Sequence, residues 1–313
     1  MRKYVKHLID SIPIPNKPTP IDIVLDGGAF AGSLHIGALY YLQKLHKRNI
    51  ISIQRLSGVS VGSAIALLFK LNSLKMASHI YTIFQDCLRD NLTLDVAFQV
   101  IAFMKQLMDK KGVDFYKSLN DNLFISFIDL TTNQHVVVSQ FDSNFHVCDS
   151  VIKSMFIPFL FNGSLSYRNQ FIDGFIPHFF HNEPCDKTLG KIHDKPHKKT
   201  LFLDLSKFPI QYVCTKYKYD YSSTKHHAID DIHAFFLEHK STKLCTFVED
   251  WDFQSHLRFK IRSFITFFII WVFSHLRYFS IQYGLFFQNN KTLLKMQSLL
   301  SSVFQIIVRN FLV

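Results

Sequence analysis

Residues 21–26 (IDIVLD), the turn 27–32 (GGAFAG) and the run 33–45 (SLHIGALYYLQKL) decide the fold. The first segment is apolar enough to be a buried strand. After the turn, Leu34, Ala38, Leu42 and Leu45 recur at helical spacing. The unit is strand, tight turn, helix, and it repeats at once. Residues 51–57 (ISIQRLS) form the second strand, Gly58–Gly62 a sharp turn, and 61–71 an apolar helix. Two such units in succession predict an α/β fold, with a parallel-rich central sheet flanked by helices.

The pattern extends outward on the C-terminal side. Residues 75–88 and 94–110 have helical periodicity. Segments 123–129 (LFISFID) and 134–139 (QHVVVS) predict a hairpin around Thr131-Thr132-Asn133. A short helix is expected over 148–156, stopped by the restriction before Pro158, with further strands at 171–173 and 200–205. Upstream, Pro13, Pro15, Pro18 and Pro20 predict an extended lead-in over 1–20, with no apolar run long enough for a signal peptide. Residues 21–205 are therefore expected to form the main domain, and 206–313 a helical, apolar and basic extension. Within it, 263–276 (SFITFFIIWVFSHL) is nearly uninterrupted in apolar character. Fourteen residues fall short of the roughly 20 a spanning helix needs, and extension to 287 would bury His275 and Arg277. A core helix or a helix lying in a membrane interface is favoured over a span at 263–287. The final apolar stretch, 292–313, also has a helical pattern.

The bulk numbers narrow the function classes. A mean hydropathy of +0.10, 33 Phe and only 19% charged residues exclude a disordered chain and predict exposed apolar surface. The formal charge of +11 would suit nucleic acid or an anionic membrane. No arginine-rich arm, zinc-finger spacing or aromatic RNA-binding motif is present, so nucleic acid is not expected and membrane contact is. Cys87, Cys148, Cys185, Cys214 and Cys245 are odd in number and widely spaced, which predicts an intracellular, reducing environment.

Glycine is scarce, 11 in 313, yet seven sit in three places. Gly27, Gly28, Gly32 and Gly37 fall in the first turn and helix, Gly58 and Gly62 flank Ser60, and Gly174 follows Asp173. A chain that avoids glycine elsewhere uses it here for backbone geometry. Gly58-Val59-Ser60-Val61-Gly62 fits a nucleophile elbow: serine on a strained strand-to-helix turn, with small neighbours that let the turn close. Such a serine needs a base and donors for an oxyanion. The 27–32 turn has the minimal side chains that let its amides converge on one point. It is neither G-x-G-x-x-G nor a phosphate loop, since Ala29 breaks the first and no Gly-Lys-Ser/Thr exists for the second.

The blocks DGGAFAGSLHIGAL (26–39), GVSVG (58–62), SMFIP (154–158) and FIDG (171–174), in this order, resemble the patatin-like phospholipase family over roughly residues 21–205. The resemblance implies a lipid acyl hydrolase of the phospholipase type working through an acyl-enzyme. Ser60 would be the nucleophile, Asp173 the general base, Gly27, Gly28 and Ala29 the oxyanion-hole residues, and Gly32, Gly58, Gly62 and Gly174 the motif glycines. It implies a phospholipid or other acyl-lipid substrate, no cofactor and no metal. Three positions depart from the family pattern: Ala29 stands for a third glycine, Ala31 for a frequent basic residue, and Phe175 follows Gly174. A positive φ at Ala29 would strain it by about 1 kcal/mol or more.

Other arrangements stay open at the level of sequence. His178, His181, His193 and His197 follow Asp173 and suit a Ser–Asp–His triad, or a metal site with Glu183 or Cys185. His35 is read as structural, and Asp26 and Asp204, at strand ends, receive no catalytic role. A lipid-binding module that keeps the fold, or an acyltransferase using the same dyad, are the alternative functions.

Overall fold

The computed structural model describes residues 2–180, 199–209, 212, 221–288 and 306. Among these residues a seven-stranded mixed sheet carries helices on its faces. Strands β1 (Thr19–Leu25), β2 (Ile51–Val59), β3 (Leu123–Asp129) and β6 (Lys199–Leu203) make a parallel core. β4 (Gln134–Val138), β5 (Phe171–Asp173) and β7 (Cys245–Phe247) add antiparallel pairings, in the order β4-β3-β2-β1-β6-β7 with β5 on β3. The strand-turn-helix units expected at 21–45 and 51–71 are present as β1 with α2 (Ser33–Lys47) and β2 with α3 (Val61–Lys70). β1 is buried from Ile21 to Leu25, as a central parallel strand covered on both faces must be.

α4 (Leu74–Asn91), α5 (Val96–Lys111) and α6 (Asn144–Met155) follow the sequence pattern. Ser143 caps α6 by accepting the His146 amide at 3.0 Å, and the helix ends ahead of Pro158. The hairpin turns at Asn133, whose φ of 56° lies in the left-handed region that asparagine tolerates.

Three expectations are corrected. The N-terminal lead-in is not extended throughout: Arg2–Asp10 is a helix, α1. Its Val5 and Ile9 share one buried stripe, Ile12 is buried just after it, and the prolines govern only the residues that follow. The border at 205/206 is not a structural division. α7 (Tyr221–Glu238) packs on α2 so closely that a Cβ on Gly37 would lie 2.5 Å from the Lys225 carbonyl oxygen. β7 extends the same sheet from beyond that border. Finally, the apolar run at 263–276 is only the middle of α8 (Phe253–Gln288), a continuous helix of 36 residues. The segment 292–313 lies outside the described residues apart from Ile306.

Candidate active site

Strand register brings the two halves of the site together. β2 ends with Val59 opposite Ser126 of β3, and the next β3 residue, Phe127, pairs with Asp173 of β5. β5 thus continues along the β3 edge where β2 stops, so Ser60 and Asp173 meet end to end. Gly174 follows in a gap where an added Cβ would be 2.5 Å from the Ser126 carbonyl oxygen.

Ser60 occupies the turn between β2 and α3 with φ 54° and ψ −131°, a strained conformation for a residue with a side chain. The turn closes because its flanks are bare. A Cβ on Gly58 would lie 2.6 Å from the Gly62 backbone, and one on Gly62 would lie 2.7 Å from the Asp26 carbonyl oxygen. The Ser60 amide donates to Ser154 Oγ at 2.9 Å. Ser154 belongs to the block quoted from the sequence, yet nothing in its context reveals this contact.

Asp173 is 4% exposed. Burial pushes its carboxyl up to about 6, against the pull of the Ser60 hydroxyl, the Phe175 amide and the Arg262 guanidinium. The Phe175 amide donates to Asp173 Oδ1 at 2.9 Å. Ile172, whose side chain takes the opposite face of β5, is buried with Ile128, Leu130 and Ile270, the last contributed by α8. The Ser60 hydroxyl hydrogen-bonds to the Asp173 carboxyl directly. His178 instead stacks on Phe124 with ring centroids 5.4 Å apart. His181, Glu183, Cys185, His193 and His197 lie outside the described residues. Among the described residues no cluster of His, Cys, Asp and Glu is placed to hold a metal.

In the 27–32 turn the three expected oxyanion donors are not equivalent. The Gly27 amide donates to Asp26 Oδ1 at 2.8 Å, so it is already engaged. Gly28 and Ala29 remain, together with the amide of Val61 at the first position of α3, which has no intrahelical acceptor. Ala29 has φ 44°, the strained alternative considered for it, and the Tyr81 hydroxyl donates to its carbonyl at 3.4 Å. His35 is fully buried, shares a 2.9 Å hydrogen bond with the Asp26 carbonyl oxygen through Nε2, and is pushed down to about 4 by burial. It is neutral in the working range, as a structural residue should be.

An apolar pocket reaches Ser60 and Ala29. Ile65 and Leu68 of α3, Ile80 and Phe84 of α4 and Met104 of α5 are among its walls. Its lining suits an apolar ligand group.

A search of curated proteins returns no match to the chain. The Patatin-like phospholipase family model matches residues 23–186, which include the 27–32 turn, Ser60, Ser154 and Asp173. The matched region covers more than half of the 313 residues, and the chain belongs to the patatin-like phospholipase family, whose activity is of the lipid acyl hydrolase kind.

Proposed function

We propose that the chain cleaves fatty acyl esters of lipids through a Ser60–Asp173 dyad. The placement of Ser60 and Asp173 end to end on the β3 edge carries this reading. Asp173 takes the hydroxyl proton as Ser60 Oγ attacks the ester carbonyl carbon. The amides of Gly28 and Ala29 and the N-terminus of α3 hold the negative charge that develops on the carbonyl oxygen. The leaving alcohol receives the proton from Asp173, and the acyl group stays on Ser60 with its chain in the apolar pocket. Water then attacks the acyl-enzyme by the same proton relay and releases the fatty acid. A base near pH 6 is deprotonated at neutral pH and still basic enough to draw the hydroxyl proton.

The outward face of α8 supports placement at an anionic membrane surface. Phe264 (73% exposed), Phe267 (66%), Phe268 (57%) and Trp271 (53%) project from it. Every charge on the helix, Arg258, Lys260, Arg262 and Arg277, is basic. Its Phe253–Phe279 stretch is long and apolar enough to cross a membrane. The opposite stripe, however, is bound to the protein body: Phe259 packs on Phe179, Ile270 on the β5 cluster, and Arg277 donates to the Asn169 carbonyl. An orientation along the interface satisfies both faces.

Fatty acid release from mixed phospholipid vesicles tests the reading. Wild-type protein is expected to release it, and Ser60→Ala and Asp173→Asn to abolish release. Binding without release by wild type would favour a lipid-binding module, and transfer of the acyl group to an added alcohol in preference to water an acyltransferase.

A further inference from the structure

α8 also enters the catalytic region. Arg262 sits on its inner face and grips Asp26 with both ends of its fork, Nη1 to Oδ2 at 3.0 Å and Nη2 to Oδ1 at 2.6 Å. Nη2 donates in addition to the Phe175 carbonyl oxygen at 2.5 Å. Each acceptor belongs to a different catalytic loop. The Asp26 carboxylate receives the Gly27 amide at 2.8 Å and the Leu205 amide at 3.2 Å, which anchors the root of the 27–32 turn. Phe175 donates its amide to Asp173 Oδ1, which orients that carboxyl. Both loops hold left-handed residues with side chains, Ala29 at φ 44° and Phe175 at φ 56°, and such conformations persist only where surroundings fix them. A bidentate guanidinium–carboxylate pair is well suited to fix them, because its geometry is rigid.

We infer that Arg262 is a positioning residue for the acyl-transfer site, a strut from α8 that sets the oxyanion turn and the Asp173 loop in register with each other. The inference rests on the proposed roles of Ser60 and Asp173. It also gives the chain a source of positive charge at a turn whose own position 31 is alanine. Among the described residues two charges face Asp173: Arg262 from α8, which draws its proton affinity down, and Asp26 from the turn after β1, which draws it up. Ser60 and the Phe175 amide complete its surroundings. Asp204, held 3.6 Å from Lys207, acts on Asp26 from behind, and His35 there is neutral.

The test uses the full chain and a short soluble ester, p-nitrophenyl butyrate, so that binding to a lipid surface plays no part. Arg262→Gln strips a buried carboxylate of its partner and can unfold the protein. Asp26→Asn/Arg262→Gln removes both charges and keeps the shape, and thermal melts identify the folded variants. The double variant is expected to lose about 10- to 100-fold in kcat with KM little changed, the scale of a misplaced catalytic group. Arg262→Lys keeps the charge without the fork and should recover part of the loss. Where Arg262→Gln folds, the acid limb of its kcat/KM profile should move to higher pH, while that of the double variant should return toward wild type. A folded double variant with wild-type kcat overturns the inference. The Asp173 carboxyl, followed by 13C NMR, keeps the two proposals apart. If wild type turns over no ester, the dyad has failed. An Asp173 titration that rises in folded Arg262→Gln then upholds the contact of Arg262 with the Asp173 loop, apart from the reaction, and one that stays put overturns it.

Discussion

Asp173 illustrates how one residue carries two demands of opposite sign. As the proposed base it must be ionised near neutrality, yet its site, 4% exposed, favours the protonated acid. Its carboxyl stands at about 6 in the fold against 3.8 as the ordinary value. For a carboxyl raised on folding, the stabilising contribution is complete below pH 3.8 and is lost as pH rises through 6. At neutral pH the ionised group therefore costs stability, at most about 3 kcal/mol for a shift of this size. Asp173→Asn, which cannot ionise, should melt higher than wild type at pH 7.5, and the gap should close toward pH 4. Parallel melts of the two proteins across that range check it, and a gap that is independent of pH would sink it. For the proposed dyad the same ionisation should set an acid limb near pH 6 in the rate of ester cleavage. At this scale the sequence is informative where geometry is local: the strained turn at Ser60 and the tight positions of Gly58, Gly62 and Gly174 are legible from their motifs. It is silent on the Gly27 amide being taken by Asp26 and on Ser154 receiving the Ser60 amide, because both depend on geometry that no spacing encodes.

α8 is the element whose character changes most between sequence and structure. Read linearly, the apolar run opens at Ser263, after Arg258, Lys260 and Arg262, and falls short of a span. On a helix the same residues separate by direction: Arg262 faces the protein, while Arg258 and Lys260 stand exposed beside Leu257 and Ile261. Linear hydropathy averages over directions, whereas a helix with one docked and one free face is defined by them. If the free face seats the protein on lipid, Phe268→Ser/Trp271→Ser should weaken sedimentation with anionic vesicles and slow release from them. The reaction with p-nitrophenyl butyrate should stay at the wild-type rate, since neither side chain touches the site. Unchanged vesicle binding by the folded variant would remove the lipid-surface role. These substitutions are preferable to deleting 261–313, which would also delete Arg262 and Ile270 and confound membrane binding with damage to the active site.

At the scale of the whole molecule, the strand-turn-helix repeats made the parallel core legible, but not where it ends. The stretch after residue 206 is polar and histidine-rich to the eye. Yet Ala228, Ile229, Ile232 and Phe235 of α7 are buried against the domain, and Leu244 and Cys245 are fully buried at β7. These residues are scattered among His226, His227, Asp230, Asp231 and His233, so window averages hide a stripe that the helix collects on one side. A fully buried aliphatic or aromatic side chain contributes about 1.5–3 kcal/mol, and a domain's net stability is about 5–15 kcal/mol. Loss of α7 alone removes several such contributions and bares α2 along Gly37, and loss of β7 leaves β6 as an open edge. A chain cut after residue 205 is therefore expected not to fold, although it holds the whole region matched to the family. Expression of 1–205 beside the full chain, with circular dichroism melts and limited proteolysis, decides the matter. Failure of 1–205 to melt cooperatively, with rapid digestion, is the expected outcome. A cooperative transition and a protected core in 1–205 would show that the catalytic unit ends where the sequence alone places its border, and that α7 and β7 merely decorate it.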